Sequence, residues 1–360
     1  MSSETEHGYL VLADISGYTS FLAKVELDHA HEILTDLLEV IVRQFKTMLT
    51  ISKLEGDAVF ANVNEARLPR PEALLELVEN TYIEFCRRRD SSQRRTTCQC
   101  RACQSMPSLE LKFLVHHGDY IVQHISGIRE LVGSDVNLIH RLTKNHICET
   151  TGWKSYLLCT QAALKCIDLQ MEGFHQQAES YEHLGEVTTF SFDMQARYKE
   201  LMETRHMILP SEDADMNLTY EFDKPVSYVW QFITDPKILT QTMREDGYWS
   251  VIKRPGGRYG PGAQNHCSHG RGVMAYTYLD WRPFQYFTAE AVEGKMKHLE
   301  MFMVEPAENE GRTKFTVRLK LVAPFPRWMR RILASYLAKP QFLEFFEKSK
   351  ILMESSDGKG

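Results

Sequence analysis

Between Asp193 and Asp215 the patterning that marks strands and helices lapses into a charged interval, and no other feature constrains the chain as much. Strand-like and helix-like segments alternate on both sides of it, so each side must build its own core. A chain of 360 residues exceeds what one core ordinarily holds. The expected organisation is a first domain over residues 1–192, a linker with helical character over 193–215, and a second domain over 216–354, both α+β.

In the first domain, Tyr9–Ala13 is an apolar, β-prone run that ends in Asp14-Ile15-Ser16-Gly17. Downstream, Ile33, Leu34, Leu37, Leu38, Ile41, Val42 and Phe45 recur at helical spacing, with Asp28 as N-cap. Thr50–Leu54 and Ala58–Val63 flank Glu55-Gly56 as a hairpin, and Pro71 opens a helix that reaches Arg88. Leu109–His117 alternates as a strand up to Gly118, Asp135–Lys144 is helical, and Tyr156–Thr160 and Val187–Phe192 are strands. This order predicts a sheet with helices packed on one side.

The net charge of −6 gives no reason to expect nucleic acid or an anionic membrane as partner. Met1–Gly8 is polar and acidic, unlike a signal peptide, and no apolar run approaches the roughly 20 residues of a membrane span. The expected location is therefore the cytoplasm, where the eight cysteines stay reduced.

Three segments carry chemistry. Asp14-Ile15-Ser16-Gly17-Tyr18-Thr19 puts a carboxylate at the end of the first strand, before a glycine turn. Lys53-Leu54-Glu55-Gly56-Asp57 puts a second one at a hairpin. In Leu131–Leu142, Asn137 and Arg141 stand four apart and project from one helix face. Carboxylates are hard donors suited to Mg²⁺ or Mn²⁺. In this order, over roughly residues 8–192, the segments resemble the class III nucleotidyl cyclases, together with a strand ending in His116-His117-Gly118.

The resemblance implies a ferredoxin-like sheet with helices packed on it and closure of a nucleoside triphosphate to its 3′,5′-cyclic monophosphate. Two Mg²⁺ or Mn²⁺ ions would sit at Asp14, Ile15 and Asp57. Ser16, Gly17, Tyr18 and Thr19 would cradle phosphate, Asn137 would orient the ribose, and Arg141 would stabilise the transition state. Lys53 and Glu130 would contact the base. Glu130 stands where the family commonly has Asp or Thr, which leaves the base open, with ATP favoured because Lys53 is kept. In this family the aspartates and the Asn/Arg pair of one site come from opposite chains, so a head-to-tail homodimer is implied. The alternative is a cyclase-shaped module that binds nucleotide without turnover.

Cys86, Cys98, Cys100 and Cys103 fall in a Cys- and Arg-rich insertion over residues 86–108. Four thiolates so close in sequence are a candidate zinc set, and the neighbouring arginines would lower the thiol pKa values. Without interleaved aromatics the arginines do not suggest nucleic acid.

Residues 216–353 resemble the START-like helix-grip superfamily, on Glu221–Trp230, Thr234-Asp235-Pro236, a β-rich middle and a final helix from Arg327 to Met353 kinked at Pro340. The resemblance implies a cavity for a hydrophobic small molecule, lined from Trp249, Tyr276, Tyr278, Trp281, Phe284, Tyr286, Phe287, Met301, Phe302 and Met303, and a sensor role. His266, Cys267 and His269, read as part of a Gly-rich loop, form a weaker metal candidate.

Overall fold

A computed structural model describes residues 5–23, 25, 27–95, 100–167, 173–203, 206–243, 247–269, 272–294, 296–309 and 311–355. The chain divides into two compact units, Met1–Thr204 and Arg205–Gly360. No helix among the described residues is long and apolar enough to cross a membrane.

The first unit runs β1 (Thr5–Ser16), α1 (Tyr18–Leu22), α2 (Leu27–Phe45), β2 (Thr50–Glu55), β3 (Ala58–Asn64), α3 (Ala73–Arg95), α4 (Arg101–Ser105), β4 (Glu110–Ile125), β5 (Ile128–Val132) and α5 (Ser134–Arg141). It continues with α6 (Ile147–Thr151), β6 (Tyr156–Thr160), α7 (Gln161–Ile167), β7 (His175–Tyr181), β8 (Gly185–Asp193) and α8 (Met194–Glu203). The strands form one sheet in the order β2-β3-β1-β4-β6-β8-β7, with β5 added to β4. Among the described residues, only β4 and β6 pair in parallel.

Helices cover both faces of this sheet, not one. Leu10 and Leu12 of β1 pack with Leu114 of β4, Leu158 of β6 and Ile139 of α5. On the other face, Ala13 pairs with Phe113, whose ring lies 6.4 Å from that of Phe45 on α2. The reason is in β1 itself: Tyr9 to Ala13 is apolar without alternation, and such a strand needs cover on both sides.

The interval 193–215 is ordered in its described parts. Met194 of α8 is buried, and Arg197 Nε donates to Glu79 of α3 at 2.7 Å. Leu209 and Ala214 pack in the second unit with Tyr286 and Met301.

The second unit contains β9 (Met216–Phe222), α9 (Val226–Thr234), α10 (Pro236–Thr242), β10 (Tyr248–Lys253), β11 (Gln264–His269), β12 (Gly272–Arg282), β13 (Tyr286–Glu293), β14 (Met296–Pro306), β15 (Thr313–Leu321), α11 (Arg327–Leu333) and α12 (Lys339–Ser355). Its sheet order is β10-β11-β12-β13-β14-β15-β9. The residues expected to line one cavity divide between the two faces of this sheet. Tyr276, Tyr278, Trp281 and Phe287 join the core around Trp230, with Trp230 and Trp281 ring centroids 5.1 Å apart. Tyr286, Met301 and Met303 cluster with Leu209 and Ala214 instead. Adjacent strand residues point to opposite faces, so Tyr286 and Phe287 cannot share a cavity wall.

The same rule undoes the candidate set at His266 and Cys267. They lie in β11, not in a loop, and are neighbours on a strand; the His269 side chain lies outside the described residues. The last helix does break near Pro340. Residues Ala334–Ala338 form a π-helical turn between α11 and α12. Proline has no N–H for the carbonyl one turn back, and a widened turn ahead of it accommodates that loss.

Candidate functional site

The β1–β3 register sets Asp14 opposite Ala58, one residue after Asp57, and Ile15 N–H donates to the Asp57 carbonyl at 3.1 Å. The hairpin reaches Asp57 through Gly56, whose φ of +66° is a left-handed conformation that favours glycine. The two carboxyl groups are close enough for the charge of one to act on the other. Burial, then the nearby Asp14 charge, pushes the Asp57 carboxyl up to about 6. Lys112 of β4, opposite Asp14 in the register, places Nζ 2.7 Å from Asp14 Oδ2. Burial pulls the Lys112 ammonium down, but Asp14, Tyr156 and Asp57 together outweigh it, and its pKa is raised overall.

Ile15 has a buried side chain, so its main-chain oxygen is the only donor it can offer a metal. Gly17 follows at φ +90° and turns the chain into α1, presenting Ser16 to Thr19 at the end of β1. Asp14 and Asp57 fit a hard divalent cation: a carboxyl on β1 and one in the β2–β3 turn lie close enough, in a partly buried place, to raise one pKa, a cost that bound positive charge relieves.

Lys53 and Glu130, the pair expected to contact the base, also come together. Lys53 Nζ lies 3.5 Å from Glu130 Oε1 and 3.7 Å from Glu55 Oε1, although β2 and β5 are not neighbours in the sheet. Lys53 and Glu130 are about half exposed, and such surface pairs contribute about 0.5 kcal/mol, little enough to rearrange around a ligand.

Asn137 and Arg141 are exposed on α5, whose Val136, Leu138 and Ile139 are buried. Among the described residues, neither bonds to Asp14 or Asp57, and Arg141 pairs with no carboxylate. The start of α5 is fixed to β4: Asp135 accepts from Asp119 N–H at 2.7 Å and pairs with His116 Nε2 at 3.2 Å. Its other end is tied to the hairpin by His140 Nδ1, 3.1 Å from Glu55 Oε2. Sequence reading missed Lys112, Glu55 and the role of Asp135. For Lys112 a signal existed: a lone cation inside the buried run Leu109 to Val115.

The cysteine set is different from the expected one. Cys86 faces the core of α3, and burial pushes its thiol up to about 12. Cys98 lies outside the described residues. Cys100 and Cys103 converge with His29 of α2. Arg89 pulls the Cys86 thiol down, but burial outweighs it, and two of the arginines are held by carboxylates. Arg88 grips Asp36 on α2 through both Nε and Nη2 at 2.5 Å, and Arg89 reaches Glu110 Oε1 at 2.9 Å.

Asp57 gives a pH test. A carboxyl whose folded pKa lies above its unfolded value stabilises the fold most at low pH, and that stability is lost as pH rises through about 6. Without divalent ions, Asp57→Asn is expected to melt above the wild type at pH 7.5, with the gap closing toward pH 4. Melting curves across this range check it, and a lower melting point for the variant at pH 7.5 contradicts it.

Residues 34–151 match a family model described as a protein of unknown function, DUF2652. An uncharacterized protein of Mycobacterium tuberculosis, Rv2561/Rv2562, is 28% identical over 167 residues, which cover 45% of this chain and 73% of that protein. Among solved structures, the guanylyl cyclase Cya2 is similar at 15% identity and a TM-score of 0.42, over 53% of this chain and 93% of that one. The adenylyl cyclase CyaB from P. aeruginosa is similar at 15% identity and a TM-score of 0.40, over 54% and 97%.

Proposed function

We propose that the first unit is a nucleotidyl cyclase that converts a nucleoside triphosphate, ATP by preference, to its 3′,5′-cyclic monophosphate and pyrophosphate in a head-to-tail homodimer. The observation that carries this reading is the approach of Asp14 on β1 to Asp57 in the β2–β3 turn, fixed by the Ile15 N–H to Asp57 carbonyl bond, with the Asp57 pKa raised by burial and by the Asp14 charge. Two Mg²⁺ or Mn²⁺ ions held by Asp14, Asp57 and the Ile15 carbonyl would supply acidification of the ribose 3′-hydroxyl and charge neutralisation at the phosphates.

The chain's own groups account for the rest. The turn from Ser16 to Thr19 offers N–H groups to phosphate oxygens. Lys53 donates to N1 of adenine and Glu130 accepts from its amino group; the same pair can address O6, N1–H and N2 of guanine. Asn137 holds the ribose, and the Arg141 guanidinium meets charge that builds on the transferring phosphorus. Both being exposed, with no bond among the described residues to the aspartates of their own chain, supports a site completed across the dimer.

The Lys112–Asp14 ion pair favours one other reading, since it balances a carboxylate without metal: a nucleotide-binding module that does not turn over. Pyrophosphate release from ATP with Mn²⁺ separates them. Asp14→Asn and Asp57→Asn are each expected to lower the rate at least about 100-fold while leaving the fold intact. A rate unchanged by either, or absent from the wild type, removes the cyclase reading.

A further inference from the structure

We infer that His29, Cys100 and Cys103 form a metal site, with zinc as the ion their donor chemistry selects, that ties the first turn of α2 to α4. The three ligand atoms lie within 4.8 Å of one another, and His29 Nδ1 is 3.1 Å from Cys100 Sγ. Zinc–sulfur and zinc–nitrogen bonds of roughly 2.3 and 2.0 Å give tetrahedral edges of about 3.5–3.8 Å, so the donors need only small shifts to enclose an ion. All three residues are half-buried, which leaves a path for the ion but limits competition from water. Two thiolates and an imidazole are soft or borderline donors, which separates this site from the carboxylates at Asp14 and Asp57.

The local structure shows why a metal has work to do here. Helix α4 is only five residues long, and Ala102 is its one buried residue. So short a helix does not hold itself together. Cys100 caps it, its sulfur accepting from Cys103 N–H at 3.4 Å, which points both sulfurs to the same side. A bond from this turn to His29, 71 positions away, closes a long loop. The inference does not depend on the proposed catalytic activity, because neither the ligands nor the readout involve nucleotide.

The full chain, purified under reducing conditions without added metal, is expected to contain about one zinc per chain by elemental analysis. Replacing that zinc with Co²⁺ should produce thiolate-to-metal charge-transfer bands and the intense visible bands of tetrahedral Co²⁺. His29→Ala, Cys100→Ser and Cys103→Ser should each lower zinc content and weaken the Co²⁺ bands, whereas Cys86→Ser should retain both. The Co²⁺ spectrum of the wild type tests the site even if a variant fails to fold. Three results would overturn it: a wild type that takes up neither zinc nor Co²⁺, full zinc retention in His29→Ala, or an intact mass two hydrogens low that maps to a Cys100–Cys103 disulfide in metal-free protein.

Discussion

Chains carrying Asp57→Ala and chains carrying Arg141→Ala are each expected to be folded and inactive, and to regain activity when mixed. In the proposed dimer each site takes its aspartates from one chain and its Asn137 and Arg141 from the other. A heterodimer of the two variants then holds one site with both defects and one with neither. If subunits exchange freely, half the dimers are mixed and half of their sites are complete, so activity should return to about a quarter of wild type. The structure supports the division: Arg141 projects from α5 into solvent, and the inward face of that helix is used by Val136, Leu138 and Ile139. Mixed dimers confirmed by tagged co-purification but showing no recovered activity would place the whole site within one chain.

The second large effect is expected at a residue that touches no substrate. A Cβ at Gly118 would lie 2.3 Å from Asp135 Oδ2 and 2.5 Å from its Cγ. The Asp135 carboxylate is held in that place by Asp119 N–H and His116, so it cannot move without giving up both. Gly118→Ala should therefore cost about 3 kcal/mol, from overpacking plus a main-chain donor left unpaired, read as a lower urea midpoint. Asp135→Ala removes the two nearest of these atoms and leaves only a Cβ at 2.9 Å, so Gly118→Ala should cost much less in the Asp135→Ala background than in the wild type. The same shift would displace the start of α5 and with it Asn137 and Arg141. Additive losses in the double variant would show that Gly118 is constrained by something other than Asp135.

How far the sequence alone reaches depends on the kind of signal. Strands with apolar runs or clear alternation, such as Tyr156–Thr160, are legible to the residue. Strands β7 and β11 are not, because His175–Tyr181 and Gln264–His269 are largely polar, and what places them is the neighbouring strand. The same contrast holds for sites. Asp14 and Asp57 stand at ends of elements that sequence patterns locate, so their approach could be inferred. His29 lies 71 positions from Cys100 with no local motif to mark it, and only the packing of α2 near α4 brings it in. Cys86 shows the reverse: its spacing suggested a ligand, while its place on the buried face of α3 makes it core.

The most direct test of the central claim is the product itself. Purified protein is incubated with Mn²⁺ and each of the four nucleoside triphosphates in turn, and the products are separated by chromatography against authentic standards. The account predicts a 3′,5′-cyclic monophosphate, formed fastest from ATP and lost in Asp57→Asn. Intact triphosphate recovered from all four reactions, by a protein that nonetheless binds one of them, would contradict it.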